Sequence, residues 1–159
     1  MKKPPYSERS QRSQIALLHG HARSFLARWG WPEDAQVTCI NHAFNTTFRV
    51  RAKGRPEAAL RINVNSSKGL DEVRAETAFV SHLRQQGLLV PQPLSSPEGE
   101  CVLESDWEGS RPLKAVLYTW LKGRRYDSQF TIKDGFELGR LTQRLHAAAA
   151  HWTPPHEGS

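Results

Sequence analysis

Sulfur is scarce in this chain: two cysteines, Cys39 and Cys101, and one methionine in 159 residues. Two cysteines cannot build a disulfide framework, so a reducing compartment is the expectation and we assign the chain to the cytoplasm. No apolar run nears the roughly 20 residues a membrane-spanning helix needs. The first residues lack the apolar stretch of a secretory signal. Self-sufficient chemistry is also missing. There is no Gly-x-x-x-x-Gly-Lys-Ser/Thr loop, no Gly-x-Gly-x-x-Gly and no Gly-x-Ser-x-Gly elbow. His19-Gly20-His21 and the His146/His151 pair are histidine groupings without metal-ligand spacing, and Cys39 with His42 lacks a second half for a metal site. No metal ligands are assigned.

Of charge there is plenty, unevenly placed. The 22 Lys and Arg against 16 Asp and Glu leave +6. Six of the basic residues (Lys2, Lys3, Arg9, Arg12, Arg23, Arg28) and one acid (Glu8) fall before Trp31, giving +5 there and +1 for everything after it. A nucleic-acid binder more often carries its basic stripe across the folded body. A small basic nucleic-acid-binding domain is therefore the least favoured class.

Hydrophobic spacing supplies the elements. Residues 1–12 are polar, Pro- and Ser-containing, and read as a flexible lead. Ile15, Leu18, Ala22, Phe25 or Leu26 and Trp29 step by three and four, which predicts an amphipathic helix stopped by Gly30 and Pro32. Val37–Ile40, Thr46–Arg51 and Ala58–Val64 read as strands, the last two joined through the turn signal Lys53-Gly54-Arg55-Pro56. Leu70–Gln86 is the clearest helix, with Gly87 as its stop. Val90-Pro91-Gln92-Pro93 is extended. Strands follow at Cys101–Glu104 and Leu113–Leu121, then a last helix over Lys133–Ala150. Local hairpins separated by one crossing helix make this an α+β chain with an antiparallel sheet.

One ordered series carries chemistry. A cation sits in mid-strand at Ala59-Leu60-Arg61-Ile62, and Glu76 lies 15 residues on within a helix. Val90-Pro91-Gln92-Pro93-Leu94 follows, then a strand running into Leu117-Tyr118-Thr119-Trp120-Leu121-Lys122-Gly123. The last helix carries Leu138-Gly139-Arg140-Leu141-Thr142-Gln143-Arg144-Leu145-His146. In its order and spacing this series resembles the N-terminal half of the aminoglycoside phosphotransferase, choline kinase and homoserine kinase-type enzymes, over roughly Val37 to His146.

The resemblance implies a protein-kinase-like N-terminal lobe: a five-stranded antiparallel sheet with a crossing helix, flanked by the N-terminal amphipathic helix and by a C-terminal helix that begins a second lobe. It divides the chain into a lead (1–12), a nucleotide lobe with its leading helix (13–122), and a linker plus first helix of a truncated second lobe (123–159). It implies ATP and Mg²⁺ as cofactors and a small-molecule hydroxyl as acceptor. Asn45, Thr46 and Thr47 would lie near the phosphates. Arg61, steadied by Glu76, would contact them, where the bland alternative is a surface salt bridge worth about 0–1 kcal/mol. Tyr118, Thr119 and Trp120 would form the hinge, with Leu60, Ala59 and Val50 walling the base.

The family's catalytic His-Gly-Asp-x-x-x-x-Asn loop and the metal-holding Asp after it do not occur in these residues. The expectation is thus a natural or constructed truncation, not active alone. A non-catalytic nucleotide-binding or interaction module is the runner-up. The last helix should then leave Phe136, Leu138, Leu141 and Leu145 to fold back, self-associate or stay exposed.

Overall fold

Alternation and helical spacing turn into a two-sided sheet. In the computed structural model, which describes residues 4–109, 111–123 and 130–154, a short 3₁₀ turn (Tyr6–Glu8) precedes α1 (Gln11–Arg28). Three strands follow, β1 (Gln36–His42), β2 (Asn45–Arg51) and β3 (Ala58–Asn63). Then come α2 (Leu70–Gln85), β4 (Val102–Ser105), β5 (Leu113–Thr119) and α3 (Ile132–Ala150). The sheet order is β1-β2-β3-β5-β4, antiparallel throughout. β5 stops at Thr119, two residues short of the sequence expectation, because its last partner on β3 is Ala58. β4 runs one residue later than expected, over Val102–Ser105.

Helix ends follow ordinary capping chemistry. The Ser10 hydroxyl accepts the Ser13 N–H at the start of α1. At α2 the Glu72 carboxylate accepts the Gly69 N–H at 2.6 Å. At α3 Thr131 and Asp134 cap one another reciprocally, Thr131 Oγ1 taking the Asp134 N–H and Asp134 taking the Thr131 N–H. Gly87, at φ 76°, supplies the left-handed residue that lets the chain turn back after α2.

α1 covers one sheet face. Leu18, Ala22, Phe25 and Leu26 meet Phe48 and Val50 of β2, Leu60 and Ile62 of β3, and Leu113 and Leu117 of β5. Each large side chain buried this way contributes about 1.5–3 kcal/mol. α2 covers part of the opposite face, where Val73 meets Val102, Val116 and Tyr118. Lying between β3 and β4 and under both helices, β5 is buried at every position from Leu113 to Tyr118, which is why it reads as a nearly unbroken apolar run.

α1 and the turn before it are also fastened by their cations. Arg23 donates to the Glu33 carbonyl and Arg28 to the Glu104 carbonyl, both at 2.7 Å, and Arg9 pairs with Glu108 at 2.7 Å. Part of the basic N-terminus is therefore spent on the chain's own body.

α3 touches the rest by its C-terminal end. Ala148 packs on Leu83 and Leu88, His82 donates to the Ala148 carbonyl, and Arg144 donates to the Gly87 carbonyl. Its other apolar residues, Ile132, Phe136, Leu138, Leu141 and Leu145, are exposed. Of the three fates open to that stripe, exposure is the one seen in the single chain.

Candidate nucleotide site

The uncovered part of the sheet is built by the residues that alternate with the core. On β2, Thr46, Phe48 and Val50 point to α1, so Thr47, Arg49 and Arg51 point the other way. On β3, Leu60 and Ile62 point to α1, so Ala59, Arg61 and Asn63 share the other face with α2. Register then sets neighbours: Thr47 opposite Arg61, Arg49 opposite Ala59, and Ala59 opposite Tyr118. Of the three expected base walls only Ala59 is on this face. Leu60 and Val50 are fully buried against α1, a correction that follows from strand alternation.

Arg61 is the centre of the face. Its NH1 donates to Glu76 Oε1 at 2.7 Å across from α2, and the two side chains are 21% and 29% exposed. Lys68, in the loop before α2, adds a second contact to Glu76 at 2.8 Å. The Lys68 contact was not anticipated, because no periodicity links a loop residue to a helix eight positions on. Burial pushes the Glu76 carboxyl up, but hydrogen bonds from Lys68 and Arg61 and their charges outweigh it and hold it below the usual carboxylate range.

The Arg61 guanidinium also lies 5.5 Å from the centre of the Tyr118 ring. Its Nε and second terminal nitrogen are buried and have no hydrogen-bond acceptor among the described residues. Asn63 and Asn45, paired across β3 and β2, each bury an amide oxygen without a partner among the described residues. The Tyr118 hydroxyl is buried beside the Thr77 side chain, and burial raises its ionisation above the ordinary phenol value.

The β1–β2 turn is held from outside itself. Asn65, just beyond β3, donates its backbone N–H to the Phe44 carbonyl and its side-chain amide to the Ala43 carbonyl. Thr46 turns inward: its hydroxyl meets His42 Nδ1 at 2.8 Å, and His42 Nε2 donates to Gln14 of α1 at 3.0 Å. Asn45 and Thr47 flank it, both half-buried. Phe44 and Ile40, the latter at a bulge in β1, are exposed apolar residues beside them.

At the far end of β5 the backbone is partly used. Thr119 N–H donates to the Gln92 carbonyl, Thr119 Oγ1 accepts the Gln92 N–H, and Trp120 N–H donates to the Glu57 carbonyl. The Trp120 ring lies under the Arg49 guanidinium at 4.4 Å. Glu57 holds Arg49 and Arg51 together. The hydrogen bond from Arg49 is the main cause that keeps its carboxyl below the usual range. The next backbone donors, Leu121 and Lys122, have no partner among the described residues.

The structure thus brings Thr47, Arg61, Glu76 and Tyr118 together on one face. It puts Asn45 at the edge of that face, turns the Thr46 side chain inward, and places Thr119 and Trp120 where the sheet ends. Among the described residues no three His, Cys, Asp or Glu side chains converge as a metal-binding group.

Residues 38–158 match the model of the phosphotransferase enzyme family, APH. The chain belongs to that family. Two solved structures show the fold of this phosphotransferase-family chain. A microcompartment-associated aminopropanol kinase is 24% identical with a TM-score of 0.73, over 89% of this chain and 43% of the other. The amicoumacin kinase hAmiN, solved with AMP-PNP, Ca²⁺ and Ami, is 20% identical with a TM-score of 0.68, over 87% of this chain and 44% of the other. The chain therefore spans less than half the length of these two kinases, and its five-stranded sheet with crossing α2 is the N-terminal lobe of the protein-kinase-like fold. A search of curated proteins finds no match. No helix among the described residues is long and apolar enough to cross a membrane.

Proposed function

We propose that this chain is the nucleotide-binding part of an ATP-dependent phosphotransferase acting on a small-molecule hydroxyl in the cytoplasm. The observation that carries the reading is Arg61. A guanidinium is anchored by a carboxylate through one nitrogen, while two buried donors go unspent. An unsatisfied buried donor costs about 1–3 kcal/mol, more for a charged group, so a partner anion is favoured there. Triphosphate oxygens are such a partner, and Arg presents its donors as a fork that fits them. Glu76 and Lys68 fix the direction from which Arg61 approaches. The Asn45–Thr47 segment starts β2 at the turn end of the same face, its backbone paired with β1 and β3, and Thr47 is the side chain it turns to that face.

The base would enter beside Ala59, with Tyr118 behind it and the unspent N–H groups of Leu121 and Lys122 at its edge. Thr119 and Trp120 are part of this hinge by position, while their own N–H groups bind the chain. When Mg²⁺ is bound with the nucleotide it neutralises phosphate charge. In the family the base that orients the acceptor lies in a His-Gly-Asp-x-x-x-x-Asn loop outside these residues. The exposed stripe of α3 suits burial against that second part of the fold, or against another copy of this chain. The two unpaired cysteines suit a reducing compartment.

Titrating the chain with ATP and Mg²⁺ by calorimetry tests the reading. Saturable binding that weakens at least tenfold in Arg61→Met is expected. No saturable signal at millimolar nucleotide would overturn it and leave a non-catalytic module.

A further inference from the structure

α2 packs on the sheet through Val73 and Val80 and on α3 through Leu83. Along its other flank the helix stands off the chain that leads into β4, leaving a cleft of about 640 Å³. That volume falls within the roughly 300–1,000 Å³ of small-molecule sites. Its α2 wall is one helix stripe of small and polar residues, Thr77, Ala78, Ser81 and His82. Val102 and Trp152 close the other sides.

One corner is aromatic. The Trp152 ring lies 5.2 Å from the His82 ring, and Phe79, outside the lining, backs Trp152 at 5.5 Å. His82 donates from Nε2 to the Ala148 carbonyl at 3.0 Å, which fixes the plane of its ring. Two charges of opposite sign stand in the lining, Arg74 and Glu100. Neither is strongly paired: Arg74 meets exposed Asp71 at 3.4 Å, and Glu100 meets Arg28 only at 4.0 Å. One charge of each sign leaves the lining without a net formal charge that would favour an anion or a cation.

We propose that this cleft binds a flat, uncharged aromatic molecule, which stacks in the Trp152–His82 corner and braces the middle of α2. Thr77, in the cleft wall, directly follows Glu76. An occupant there therefore steadies the turn of helix that presents Glu76 to Arg61. The binding and the bracing are both read without nucleotide, so the proposal stands apart from the ATP reading.

Indole is the probe. The 159-residue chain should show a saturable rise in Tm with indole, and amide exchange across Glu76–His82 should slow at least threefold when indole is present. Benzoate and benzylamine should bind at least fivefold more weakly. Ala78→Trp and, separately, Ser81→Phe fill the cleft and should each weaken indole binding at least tenfold while the sheet fold persists by circular dichroism. The proposal is overturned by an unsaturable or absent response to indole. Undiminished binding in whichever filled variant folds would overturn it, as would unchanged exchange in α2, or tighter binding of either charged ring.

Discussion

The two faces of the sheet obey different rules. The face under α1 is apolar and closed: Phe48, Val50, Leu60 and Ile62 are fully buried. The face beside α2 holds a three-residue charge cluster and several buried polar atoms with no partner among the described residues. The strands are the same, and neighbours along each one serve opposite faces. Stability is concentrated on one side so that the other can keep polar groups that a well-satisfied core would not tolerate.

Truncating the closed face should produce the largest effect. Phe48→Ala should cost about 3–5 kcal/mol and Leu60→Ala about 2–5 kcal/mol, measured by urea denaturation. If ATP affinity in the surviving folded fraction falls as well, the two faces are not independent. Next comes Arg61→Met on the open face. It should lower nucleotide affinity at least tenfold, about 1.4 kcal/mol, with a smaller change in unfolding free energy, because Lys68 still partners Glu76. A loss of stability comparable to that of Leu60→Ala would show that the open face is part of the core after all.

The charge cluster also sets an acid limit. The Glu76 carboxyl is held below 4.5, its ordinary value. A carboxyl depressed in the fold binds protons more readily once unfolded. Its contribution is therefore complete above about pH 4.5 and is lost as pH falls through its lower folded value. Glu76→Gln should cost about 1 kcal/mol at neutral pH and flatten the acid limb of stability followed from pH 6 to 3. The smallest effect belongs to α3. Phe136→Ser, on an exposed residue, should change stability by less than about 0.5 kcal/mol. It should shift any concentration-dependent association in sedimentation toward the monomer.

How far these features could be read beforehand depends on whether their cause is local. Every α-helix and strand was legible within about two residues, since periodicity and glycine stops are properties of short windows, but the 3₁₀ turn Tyr6–Glu8 lay in a lead read as flexible. The pairing of Arg61 with Glu76 was legible only through the ordered series around it. Which face of β3 lies open was not. Alternation separates Ala59 from Leu60 but does not say which side α1 will cover, so Leu60 and Val50 were placed around the base when they belong to the core. Lys68, Asn65 and Glu57 act across turns, where spacing carries no signal. The N-terminal charge excess was visible as a number, but its use in tying Arg9, Arg23 and Arg28 to the body required the fold.

Asn65 offers a handle of a different kind. By holding the carbonyls of Ala43 and Phe44 from the end of β3, it couples the position of the β1–β2 turn to the strand that carries Arg61. Turn and cation are thus tied through one residue. For an engineer, or for drift among related chains, residue 65 is a tuning screw: a change there alters the spacing between turn and arginine while leaving both untouched.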